Sequence, residues 1–102
     1  MTYRVIYGPV FRDDLRDRVR RMREDRVSQD VMDQWYGRLF DLIDSLNQWP
    51  RRFPIDRFLT RETGRETRKL NFGRYLVSYQ IDEERRQVNL TGFVHGASRK
   101  SR

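Results

Sequence analysis

The sequence predicts an α+β fold: one curved antiparallel sheet with a helical hairpin packed on one face, in the order β-α-α-β-β-β. Two observations predict it. Apolar residues recur at helical spacing through two long segments of the first half. Three segments rich in β-branched and aromatic residues crowd the second half, and connections that short require antiparallel pairing. The 102 residues suit a single domain, 1–102, large enough to bury a core of its own.

The first strand is expected at 3–7 (Tyr3, Arg4, Val5, Ile6, Tyr7), ended by Gly8-Pro9. Proline fits a first helical turn, so Pro9 also suits the start of the next element. Phe11, Leu15, Val19 and Met22 then form one stripe of a helix over 10–26, whose other face is charged and reads as water-facing. Ser28 is a natural N-cap for a second helix reaching about Gln48, striped by Val31, Trp35, Leu39, Leu42, Ile43 and Leu46. Within it Gly37 costs roughly 1 kcal/mol relative to alanine, a sign that another backbone approaches there. Pro50 and Pro54 end the helix, and Trp49 is expected to cover the hairpin's end. Residues 50–65 read as a basic irregular loop, either a solvated connector or a functional segment.

Strands are expected at about 66–71, 74–81 and 87–95, with a turn near Phe72-Gly73. Tyr75 and Tyr79 alternate with Val77 and read as core residues. Strict alternation in the last strand puts Val88, Leu90 and Val94 toward the helices. It leaves Asn89, Thr91, Phe93 and His95 on the open side. The same rule puts Lys69 on the open side and Arg68 with Leu70 on the helix side.

The formal charge is +7, from 22 basic and 15 acidic residues; only Lys69 and Lys100 among the basic ones are lysine. Residues 28–48 carry four Asp against Arg38, whereas 49–69 carry seven basic residues against three acidic. A basic second half beside an acidic helix suggests a side that faces a polyanion. There is no cysteine, which removes disulfides, thiolate metal sites and cysteine nucleophiles and suits a reducing compartment. No acid–histidine spacing suggests a metal site, and no cofactor is expected. No apolar run has signal-peptide or membrane-spanning length. The expectation is a cytoplasmic protein that does not enter a membrane.

Three stretches carry a resemblance. The opening Tyr3-Arg4-Val5-Ile6-Tyr7-Gly8-Pro9, followed by Asp14-Leu15, is one. Ser45-Leu46-Asn47-Gln48-Trp49-Pro50, which closes the second helix, is another. The third runs from Arg68-Lys69-Leu70-Asn71-Phe72-Gly73-Arg74-Tyr75 through Tyr79 and resumes at Val94-His95-Gly96-Ala97-Ser98-Arg99. Together they resemble the RelE/ParE superfamily, the toxins of type II toxin–antitoxin systems, including plasmid-stabilisation toxins. The resemblance covers nearly the whole chain in order. It implies a toxin neutralised by a cognate antitoxin protein. RelE-like members cleave mRNA in the ribosome, and ParE-like members inhibit DNA gyrase without cleavage.

RNA cleavage without metal needs a group to take the 2′-hydroxyl proton, a group to protonate the leaving oxygen, and cations to stabilise the phosphorane. His95 is the only histidine and the only side chain whose unperturbed pKa lies near neutrality. The family pattern adds Arg68 and Arg99 to it as candidate catalytic residues. Lys69, Arg74, Arg51, Arg52 and Lys100 are the candidate contacts to target nucleic acid or protein. Met32, Tyr36 and Phe40, apolar residues beside the main stripe of the second helix, are candidate antitoxin contacts, unless they widen the core face. Three functions remain: a ribosome-dependent endoribonuclease, a gyrase inhibitor, or a non-toxic basic binding protein.

Overall fold

A computed structural model describes residues 2–96. Strand β1 (Arg4–Tyr7) is followed by α1 (Pro9–Glu24), α2 (Gln29–Asp44), α3 (Arg57–Thr63), β2 (Arg68–Phe72), β3 (Tyr75–Asp82) and β4 (Gln87–His95). The α+β class agrees with the sequence, but two features correct the expected architecture. The sheet is mixed: its strand order is β1-β4-β3-β2, and β1 runs parallel to β4. A crossover through α1 and α2 permits that pairing, which a tight hairpin does not. The second correction is the segment expected to be an irregular loop. It holds a 3-10 turn at Pro50–Arg52 and the helix α3. The Asp56 carboxylate caps α3 by accepting from Leu59 N at 2.9 Å, and Gly64 ends it with φ +73°.

The two long helices form where periodicity and caps place them. Pro9 opens α1, and Ser28 Oγ accepts from Val31 N at 3.2 Å to cap α2. The α-helix stops at Asp44, short of the expected Gln48, and tightens into a 3-10 turn over Ser45–Asn47. Phe11, Leu39, Ile43 and Leu46 meet Leu70, Val77, Tyr79, Val88, Leu90 and Phe93 in one buried core. Both helices reach β4: the Phe93 ring meets Phe11 at 6.0 Å and Trp35 at 5.9 Å, edge to face. Trp49, expected to cover the hairpin's end, is instead 67% exposed; the buried neighbour is Pro50.

Nothing lies within 4 Å of where a Cβ on Gly37 would sit, so no backbone approaches there. Gly37→Ala is therefore expected to raise stability by about 0.5–1 kcal/mol, read as a higher denaturation midpoint at unchanged m-value.

The last strand departs from strict alternation. It has nine residues against the eight of β3. Leu90 pairs with Tyr79 and Gly92 with Ser78, leaving Thr91 as the extra residue of a bulge. Beyond the bulge the faces exchange. Phe93 is buried against the helices, Val94 is exposed, and His95 pairs with Tyr75 on the side of Phe93. The expectation that Phe93 and His95 face the open side is corrected by this one inserted residue.

Candidate functional site

Because of the bulge, His95 opens into a cleft between α1 and the ends of β3 and β4, not onto the sheet's open face. The cleft is about 200 Å³ and is lined by Asp14, Asp17, Arg18, Arg21, Tyr75, Phe93 and Val94 with His95. Its floor is aromatic. The Tyr75 ring stacks on Phe93 at 5.1 Å, and the His95 ring meets Tyr75 edge-on at 5.4 Å. The Arg18 guanidinium covers the Tyr75 ring at 5.0 Å from its centre, a cation–π contact.

The two carboxylates of the cleft are engaged. Asp14 Oδ2 accepts from Phe93 N at 3.1 Å, and Asp17 pairs with Arg20 at 3.3 Å, both side chains of the pair largely exposed. Among the described residues, neither Arg18 nor Arg21 has an ion pair. Beside its aromatic wall the cleft thus holds two guanidinium groups and an imidazole together with the two carboxylates. The guanidinium groups suit an anionic group attached to a flat ring. No group of three or more His, Asp or Glu side chains among the described residues could hold a metal ion.

The residues singled out by sequence are dispersed. Arg68 shares the helix side with Leu70, as alternation predicts, but its register partner is Tyr79, whereas that of His95 is Tyr75. Its side chain is 13% exposed. Arg68 Nη1 donates to the carbonyl oxygens of Arg51 at 3.1 Å and Phe53 at 2.7 Å, and Nη2 lies 3.4 Å from Glu66. This guanidinium fastens the segment after α2 to the sheet. Lys69 lies on the opposite face, paired with Ser78. Arg74 occupies the β2–β3 turn, exposed, and its carbonyl accepts from Gly96 N at 2.7 Å. Among the described residues it is the one predicted target contact next to the His95 end of the sheet. Arg99 and Lys100 lie outside the described residues.

Arg51 and Arg52 belong to local networks. Arg51 bonds and ion-pairs with Glu83, and both meet the Tyr3 hydroxyl. The hydrogen bond from Arg51 holds the Glu83 carboxyl below its ordinary range, and the Tyr3 hydroxyl adds to the effect. Arg52 donates to Ser45 Oγ at 2.6 Å and lies over the Phe53 ring. Of the candidate antitoxin contacts, Met32 is 2% exposed and belongs to the core, the alternative in which it widens the core face, so it is withdrawn as an antitoxin contact. Tyr36 and Phe40 are half-buried and stack on each other at 5.8 Å. Val31, expected in the buried stripe, is exposed instead.

Sequence reading passed over Asp14, Asp17, Arg18 and Arg21, taking the charged part of α1 as plain solvated surface. Their spacing held a signal: 14, 18 and 21 fall at i, i+4 and i+7, one face of a helix. Without the bulge nothing places that face beside His95. No protein-family model matches the chain, and no curated protein matches it either. The fold and the cleft together define a small basic α+β domain with a lone histidine set among helix-borne arginines. No helix among the described residues is long and apolar enough to cross a membrane.

Proposed function

We propose that this chain is the toxin of a type II toxin–antitoxin pair, arresting growth by metal-independent cleavage of mRNA on the ribosome. One observation carries the reading: its only histidine lies in a cleft with Arg18 and Arg21, two arginines without ion-pair partners among the described residues. In such a cleft the arginines hold the scissile phosphate and stabilise the negative charge of the phosphorane. The substrate's own 2′-hydroxyl attacks phosphorus and the 5′-oxygen departs, giving a 2′,3′-cyclic phosphate and a 5′-hydroxyl. His95 moves one proton in this step, taking it from the nucleophile in its neutral form or giving it to the leaving oxygen in its charged form, and water carries the other. Tyr75 and Phe93 supply the flat surface against which a neighbouring base stacks. In the same reading the antitoxin lays an apolar segment along α2, over Tyr36 and Phe40.

A second reading, inhibition of DNA gyrase without cleavage, is favoured by the withdrawal of Arg68. A nuclease built on Arg68 needs that guanidinium at the phosphate, and here it holds two backbone carbonyls. Inducing the chain alone in bacteria separates the readings. The nuclease reading predicts growth arrest with translation halted and plasmid supercoiling unchanged. Loss of supercoiling with translation intact at first would replace it by the gyrase reading, and unimpaired growth would remove both.

A further inference from the structure

We propose that Asp14 is a positioning residue for His95. Its carboxylate clamps the β4 bulge, and the bulge determines which face of the sheet the histidine occupies. The proposal rests on the cleft's being the working site. Thr91 is one residue more than the facing strand can pair, and such an insertion disrupts the ladder and leaves backbone groups without their usual partners. The N–H of Phe93, two residues on, finds its acceptor 79 positions away in α1, at Asp14 Oδ2. A buried N–H without an acceptor is costly, and a bond to a carboxylate is stronger than one between neutral groups.

The surroundings are shaped for that carboxylate. A Cβ at Gly92 would lie 2.9 Å from Ser78 Oγ and 3.8 Å from Asp14 Oδ2. The glycine thus leaves room on both sides of the bulge, where the Ser78 and Thr91 hydroxyls meet at 2.9 Å. Were the ladder regular through this point without losing a residue, alternation would turn Val94 inward and Phe93 and His95 outward. Asp14 also precedes Arg18 by one helical turn and Arg21 by two. The same hydrogen bond therefore fixes the distance between the histidine and the arginines it works with.

Because His95 is the only histidine, its imidazole protons give a single, assignable pair of NMR signals. In the native protein they are expected to show cross-relaxation with the Tyr75 ring protons. Asp14→Asn keeps an acceptor oxygen and is expected to retain those cross-peaks. Asp14→Ala is expected to lose them while the far-ultraviolet circular dichroism keeps its shape. If Asp14→Ala does not fold, Asp14→Ser, whose hydroxyl falls short of Phe93 N, provides the same comparison. Cross-peaks unchanged in a folded Ala or Ser variant overturn the proposal, and so does their loss in the Asn variant. Growth arrest is scored separately. A wild-type chain that arrests nothing defeats the toxin reading and leaves the NMR result standing. Arrest lost in Asp14→Ala and kept in Asp14→Asn ties the two together.

Discussion

Arg68→Ala is expected to destabilise the fold by about 3 kcal/mol, a loss of roughly 10–20 °C in melting temperature for a domain of this size. The guanidinium is the donor for the carbonyls of Arg51 and Phe53 and is almost wholly withdrawn from water. Truncation leaves both carbonyls without their partner and opens a cavity beside Tyr79. Its Nε is already buried without a hydrogen-bond partner among the described residues, so the site tolerates little further disturbance. Arg68→Lys is expected to recover only part of the loss, because one ammonium cannot reproduce the planar fork. Thermal or urea denaturation of the purified variants measures this. A family-type catalytic Arg68 would instead give a variant of native stability and no activity, which would contradict the structural role described above.

Tyr79→Ala is expected to cost about 3–5 kcal/mol, the range for removing a fully buried large aromatic side chain. The ring lies in the core at 0% exposure, and its hydroxyl donates to the Pro50 carbonyl at 2.5 Å. Arg68 and Tyr79 are register partners, so two side chains on neighbouring strands hold the same turn after α2, through the carbonyls of Pro50, Arg51 and Phe53. The two losses should not add fully, since both release the same segment. Tyr79→Phe isolates the hydroxyl and carries a pH signature. Burial pushes the hydroxyl's pKa up to about 12 from an ordinary 10. Between those values the unfolded chain has lost a proton that the folded chain keeps. Stability is thus full below pH 10 and falls as the pH rises toward 12, by about 2–3 kcal/mol from this group. The slope in that window should be shallower in Tyr79→Phe. It will not vanish, because burial also raises the Tyr7 hydroxyl.

Much of the fold was legible because its signals are local. The stripe through Phe11, the Ser28 cap and the turn at Gly73 each depend on a few neighbouring residues. What escaped depends on long-range partners. The parallel pairing of β1 with β4 is written nowhere in either strand. α3 is only seven residues long, too short for periodicity to separate it from a loop. Met32 and Val31 exchanged places by one step around α2, which moves the buried position of its first turn by about 100° while Leu39 and Ile43 stay buried as expected.

The site failed to be read for a sharper reason. Alternation is reliable only while the ladder is regular, and one extra residue at Thr91 inverted it for Phe93, Val94 and His95. The acceptor that stabilises the insertion lies in α1, so no window of sequence contains both. Arg68 shows the converse: alternation placed it correctly, on the helix side, and that placement already removed it from the open face.

The most direct test is cleavage itself, by purified protein in a cell-free translation reaction, with mRNA ends mapped by primer extension. The native chain is expected to produce new, discrete 5′ ends. They are expected to disappear with His95→Ala and with the Arg18→Ala/Arg21→Ala pair, each verified as folded. Undiminished ends with a folded His95→Ala protein, or no ends from a native chain that arrests growth, would contradict the nuclease reading.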